Sequence, residues 1–210
     1  MSISDFLHVP MAGVLGAAAT VDELVANIKN DDENVRTEAW RGAGDVGAAA
    51  LPALAGLAAD APQEVARAAK RGMWRIVRHS GRPGAEVERE AVSASLLPLL
   101  AEEKSVNQRR EILWMISEAS GDDAVAPVAA LLEEPDLRDS ARMVLERIPG
   151  DASLKALKAA LDTAPEDFKP NIAHSLRVRG VEVSGYPSAN MTPAKSTEVK
   201  PLETVPAAAK

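Results

Sequence analysis

Apolar side chains recur along this chain three and four residues apart, the period that lays one stripe along an α-helix. Period-two alternation and β-branched or aromatic runs are scarce, so strands are not expected. The stripes come in pairs separated by short breaks. The first pair spans roughly Val21–Lys29 and Glu33–Gly44, the second Ala48–Ala59 and Pro62–His79, the third Glu86–Ala101 and Ser105–Ala119. The fourth spans Asp123–Leu132 and Asp136–Arg147, and the fifth Ala152–Asp162 and Pro165–Arg177. The breaks carry acidic or turn-forming residues, among them Asn30-Asp31-Asp32, Glu102-Glu103-Lys104, Glu133-Glu134-Pro135 and Thr163-Ala164-Pro165. Such residues favour helix starts, and their negative charge complements the dipole of the helix that follows.

Each pair closes on a glycine, at positions 47, 81, 121, 150 and 180, so that successive closures lie 34, 40, 29 and 30 residues apart by subtraction. Glycine is the usual residue just past a helix because it reaches the left-handed conformation cheaply, and a recurring spacing of this size marks an internal repeat. The first helices share an apolar–proline pattern in Leu51-Pro52-Ala53-Leu54, Leu97-Pro98-Leu99-Leu100 and Val125-Ala126-Pro127-Val128. Proline inside a helix removes a hydrogen bond and bends it, so a bend common to these helices is expected.

Two second helices, Val35-Arg36-Thr37-Glu38-Ala39 running to Gly47 and Leu137-Arg138-Asp139-Ser140-Ala141 running to Gly150, carry a resemblance together with the proline-bearing first helices. They resemble the HEAT-repeat family, particularly the short bacterial HEAT repeats related to those of phycobilisome lyases, over approximately residues 21–180. The third repeat departs at Val106-Asn107-Gln108-Arg109-Arg110, which lacks the usual small residue. The fifth departs at Lys169-Pro170, which moves its helix start to Pro170 and suits a terminal cap. The resemblance implies an all-α fold, a right-handed α-solenoid of about five HEAT-like helical pairs. It also implies that the second helices line the concave side, and that this surface binds proteins or, in some members, nucleic acid.

Residues 1–20 read as an N-terminal cap or leader, 21–180 as the repeat domain and 181–210 as an extended or flexible tail. Val9–Ala19 is apolar and ends in Ala17-Ala18-Ala19, as a signal peptide would, but no Lys or Arg precedes it and Asp5 sits where positive charge belongs. A cytoplasmic location is therefore expected. No apolar run approaches the length needed to span a bilayer. In the tail, Val181, Val183 and Tyr186 suggest docking over roughly 181–192, with mobility expected beyond, where Pro193, Pro201 and Pro206 disfavour packing.

Three tryptophans fall in one register. Trp40, Trp74 and Trp114 each lie seven residues before a closing glycine, a place taken by Met143 and Ala173 in the last two repeats. The favoured reading is a stacked core ladder; the competing one is an exposed aromatic stripe suited to binding. A basic stripe runs down the second helix of repeat two, with Arg67, Arg71, Arg75, Arg78 and Arg82 at helical spacing and Lys70 beside them. Arg36, Arg41, Arg109 and Arg110 sit on neighbouring second helices. Either these cations pair with carboxylates of adjacent repeats or they form a surface for an anionic partner. The chain carries a net charge of −7, which repels phosphate on average, so nucleic-acid binding is not expected. The binding surface chosen on these grounds is the concave row, with Arg41, Arg71, Arg75, Arg78 and Arg109 for acidic groups and Trp74 and Trp114 as anchors, for a protein partner.

Catalytic constellations are missing from the sequence. His8, His79 and His174 are single and widely spaced, the serines lack a nucleophile-elbow context, and there is no phosphate-binding glycine loop. Asp122-Asp123 sits at a helix start, where the dipole is reason enough. The chain has no cysteine, which excludes disulfides and thiolate metal sites. No catalysis, cofactor or metal is expected. The enzyme alternative, a phycobilin-lyase-like HEAT protein, rests on resemblance alone, and no residue set carries over to this sequence.

Overall fold

A computed structural model describes residues 19–101 and 104–187. Ten α-helices are found there, in five antiparallel-type pairs: α1 (Val21–Ile28) with α2 (Glu33–Val46), α3 (Leu51–Asp60) with α4 (Gln63–Ser80), and α5 (Glu86–Leu96) with α6 (Val106–Ala119). The fourth pair is α7 (Val125–Ala130) with α8 (Arg138–Arg147), and the fifth α9 (Asp151–Thr163) with α10 (Lys169–Val178). No strand occurs among the described residues.

The helix starts follow local chemistry. Thr20 caps α1 and Ser105 caps α6 through reciprocal capping boxes with Glu23 and Gln108, and Asp32 caps α2 by accepting from the Asn34 N–H. Pro170 lies in the first turn of α10, where its missing N–H costs nothing. Of the closing glycines, Gly47, Gly150 and Gly180 take positive φ values of 78°, 98° and 80°. Gly81 and Gly121 do not, and the left-handed turn after α4 is made at Gly84 instead.

The shared proline does something other than bend a helix. Pro52 and Pro127 stand in the first turns of α3 and α7, each entered from a short 3-10 turn, at Ala48–Ala50 and Asp122–Ala124. Pro98 lies in the 3-10 turn Leu97–Leu100 that ends α5. The prolines thus mark changes of helical winding at element ends, and the first helices expected to run to Ala101 and from Asp123 to Leu132 are broken there.

The second helices stack in order, α2 on α4, α4 on α6, α6 on α8 and α8 on α10. The row of first helices is packed less closely along its length. Between the rows runs one continuous core, from Leu24 and Ile28 through Leu54, Met73, Ile76, Leu96, Leu113, Ile116, Val144 and Leu145 to Ile172 and Leu176. Each repeat contributes one stripe and borrows the rest of its burial from its neighbours, the arrangement of an α-solenoid. After α10, residues 181–187 form no regular element and bend at Gly185: Val181 and Val183 pack against the core, and Arg177 donates to the carbonyls of Val183 (2.9 Å) and Tyr186 (2.5 Å). The expectations for residues 1–18 and for the tail from 188 onward lie outside the described residues.

Candidate functional site

Helix α4 is the most sharply two-faced of the described helices. One face, Ala68, Ala69, Gly72, Met73, Ile76 and Val77, is buried. The other carries Arg67, Lys70, Arg71, Trp74, Arg75 and Arg78, and the helix holds a single carboxylate, Glu64. Helix α2 approaches α4 closely because Gly44 has no side chain; a Cβ there would stand 2.9 Å from the Cβ of His79. Between the two helices an open groove of about 660 Å³ is lined by Trp40, Trp74 and the α4 cations.

The tryptophan column is a core ladder only in part: Trp40 and Trp74 pack against the core from its edge, and Trp114 does not. Trp40 and Trp74 are half-buried at the surface of the second-helix row, and Trp114 is 51% exposed. A rule of register explains the difference. The residue three before a tryptophan, on one second helix, reaches back to the tryptophan of the preceding repeat. Arg71 lies over the Trp40 ring at 5.6 Å, and Glu111 accepts the Trp74 indole N–H at 2.6 Å. In the fourth repeat the equivalent residue is Ser140, too short to cover an indole, and Trp114 is left open. Arg41 adds a second guanidinium over Trp40 at 5.6 Å, and Arg78, one turn beyond Trp74, sits 5.1 Å from its ring.

The basic stripe divides in two. Arg41 pairs with Glu38 (3.0 Å), Arg67 with Glu64 (3.2 Å), Lys70 with Glu111 (3.2 Å) and Arg82 with Glu88 (2.6 Å). Arg71, Arg75 and Arg78 have no carboxylate within ion-pair distance among the described residues; Arg75 Nε donates instead to the Arg41 carbonyl at 3.1 Å. Three adjacent cations are therefore held in place by indole rings and a carbonyl, with their charge unneutralised, on a chain whose net charge is −7.

Arg109 does not belong to this surface. It is 5% exposed, donates through Nε to the Leu100 carbonyl (2.9 Å), and grips Glu134 with both terminal nitrogens at 2.7 and 2.8 Å. Its place in the arginine row by sequence is overridden by the turn after α7, which brings Glu134 against it. The hydrogen bond from Arg109 holds the Glu134 carboxyl below the ordinary range, against the opposing effect of burial. Arg110 caps the same turn through the Asp136 carbonyl. Neither Glu111 nor Glu134 stands out as a partner in the sequence. The one local signal is that Glu111 stands three before Trp114, as Arg71 stands three before Trp74.

No protein-family model matches the chain, and no curated relative matches it significantly. Among solved structures, a designed armadillo repeat protein in complex with the peptide (KR)4 is similar over 75% of this chain and 81% of its own, at 19% identity and a TM-score of 0.43. An engineered protein is similar over 76% of this chain and 79% of its own, at 18% identity and a TM-score of 0.40. Both scores are low, and the fold rests on the stacking itself. This is a helical-repeat protein.

Proposed function

We propose that this chain is a non-catalytic scaffold of HEAT type that binds an acidic segment of a protein partner along its second-helix row. Arg71, Arg75 and Arg78 contact carboxylates, and the open face of Trp114 offers an apolar platform. The observation that carries this reading is the trio of oriented arginines without carboxylate partners in a groove between two indoles. Guanidinium groups match carboxylates two bonds at a time, and side chains already held against a ring lose little freedom when a ligand arrives. The local field is cationic although the chain is not, which selects acidic partners at this face. Trp74 lines the same groove and Arg41 lies over the Trp40 ring beside it, but both already hold intramolecular partners, so they shape the groove more than they bind.

The test is fluorescence anisotropy with a labelled glutamate-rich peptide and, separately, a labelled single-stranded oligonucleotide, on wild-type protein and Arg71→Glu/Arg75→Glu. The peptide should bind and weaken about tenfold or more in the variant, with added salt acting in the same direction and the melting temperature nearly unchanged. Binding of the oligonucleotide alone would assign the face to nucleic acid, whose bases stack on exposed aromatics. A large fall in melting temperature would make the arginines structural.

A further inference from the structure

A second concavity opens on the far side of α4. It lies between the α3–α4 pair and the start of α6 and encloses about 370 Å³. Its floor is Met73 and Ile112, both buried, and its walls include Ala58 and Leu99, both half-buried. Lys70 borders both this cavity and the arginine groove. The ridge between them is fixed by Glu111, which takes Lys70 on one carboxylate oxygen and the Trp74 N–H on the other.

Part of the polar lining is committed, and Asp60, Lys104 and Asn107 complete it. Glu111 is engaged at both oxygens, and Ser105 and Gln108 are tied to each other in the capping box of α6. At its floor and inner walls, from Met73, Ile112, Ala58 and Leu99, the cavity offers an occupant apolar surface, in a pocket that adjoins three arginines without carboxylate partners. Resting on the acidic-segment reading above, we infer that the same partner segment crosses the Lys70–Trp74 ridge and sets one large apolar side chain into this cavity.

The spacing follows from the fold. Neighbouring packed helices lie about 8–10 Å apart, so the grooves on either side of α4 are separated by a similar distance. An extended chain advances about 3.3 Å per residue. The recognised segment therefore carries its acidic residues and its apolar anchor about three positions apart. Acidic groups alone would bind this surface with little discrimination, since exposed charge pairs are weak and screened. The socket supplies the choice among acidic partners, because burying a leucine- or phenylalanine-sized side chain raises affinity by about tenfold or more.

Selection of phage-displayed random peptides tests this. The baits are the wild-type protein, Arg71→Glu/Arg75→Glu, and two cavity-filling variants, Ala59→Phe and Asn107→Trp. Ala59 and Asn107 are exposed residues on opposite walls, so one filled variant keeps the test alive if the other is destabilised. Wild-type protein should enrich acidic residues together with a leucine, phenylalanine or tryptophan about three positions away. The filled variants should keep the acidic enrichment, lose the apolar position, and bind a wild-type-selected peptide about tenfold more weakly. Acidic enrichment without an apolar position, or an apolar position that both filled variants retain, overturns the socket and leaves the acidic reading standing. No acidic enrichment on wild-type protein overturns both.

Discussion

Replacing Glu134 by glutamine isolates what the buried Arg109 contributes. The change keeps the shape of the side chain and removes the charge that Arg109 grips at 2.7 and 2.8 Å. Breaking a fully buried ion pair from one side costs about 3–5 kcal/mol. Here the Glu134 side chain is 37% exposed, so water reaches one end of the pair, and Arg109 Nε keeps the Leu100 carbonyl. The expected cost is therefore about half as large, roughly 2 kcal/mol. Arg109→Met should cost about 1–2 kcal/mol, because it removes the charge, retains most of the packing, and leaves Glu134 able to turn toward water. The double variant should cost less than the sum, with a coupling energy of about 1.5 kcal/mol in a double-mutant cycle followed by urea denaturation.

The same pair sets a pH dependence. The carboxyl of Glu134 titrates below its ordinary range in the folded protein because Arg109 donates to it. Its contribution is thus complete above the pKa of an unfolded glutamate and is lost as pH falls through the folded value. Wild type and Glu134→Gln should differ at neutral pH and converge in acid. A coupling energy below about 0.5 kcal/mol at neutral pH, the size seen for exposed pairs, would refute the reasoning and return Arg109 to the surface row.

Other parts of the fold make comparable predictions. Arg179 closes the end of α8 by donating to the carbonyls of Leu145, Glu146, Ile148 and Gly150 and to Ser153 Oγ; Arg179→Met should cost about 2–3 kcal/mol. Amide exchange should then accelerate in α8–α10 and not in α1–α4, and uniform acceleration would show the repeats to be more tightly coupled than stacking implies. Gly42→Ala meets nothing within 4 Å and should stabilise α2 by about 0.5–1 kcal/mol, whereas Gly44→Ala drives a Cβ to 2.9 Å from His79 and should destabilise by about 1–3 kcal/mol in thermal melts. Equal effects at the two glycines would mean that α2 and α4 do not approach as described. Trp114→Phe should remove most of the acrylamide-accessible tryptophan emission and Trp74→Phe little of it; the reverse would place the wrong indole at the surface.

Much of the architecture is legible in the chain because it is locally encoded. The turn residues at Asn30-Asp31-Asp32 and Ser105, the glycines at 47, 150 and 180, and the stripes between them act within a few residues of their own position, so the five helix pairs follow from the amino-acid pattern alone. The register of Trp40, Trp74 and Trp114 and the helical spacing from Arg67 to Arg78 are legible for the same reason: a repeat places equivalent residues on equivalent faces. The roles of those residues are not legible. Whether a tryptophan is covered depends on a side chain 26 to 37 residues further on, arginine at 71, glutamate at 111 and serine at 140. Whether an arginine is a ligand contact or a buried strut depends on where a carboxylate of another repeat comes to rest, which is why Arg109 and Arg71 look alike in sequence and differ in the fold. By itself the sequence determined the helices, their pairing and which residues share a face, since those follow from backbone hydrogen bonding and burial along one helix. Only the tertiary structure decided which cations are neutralised and which indoles stand open, because both depend on distances between repeats that no local pattern encodes.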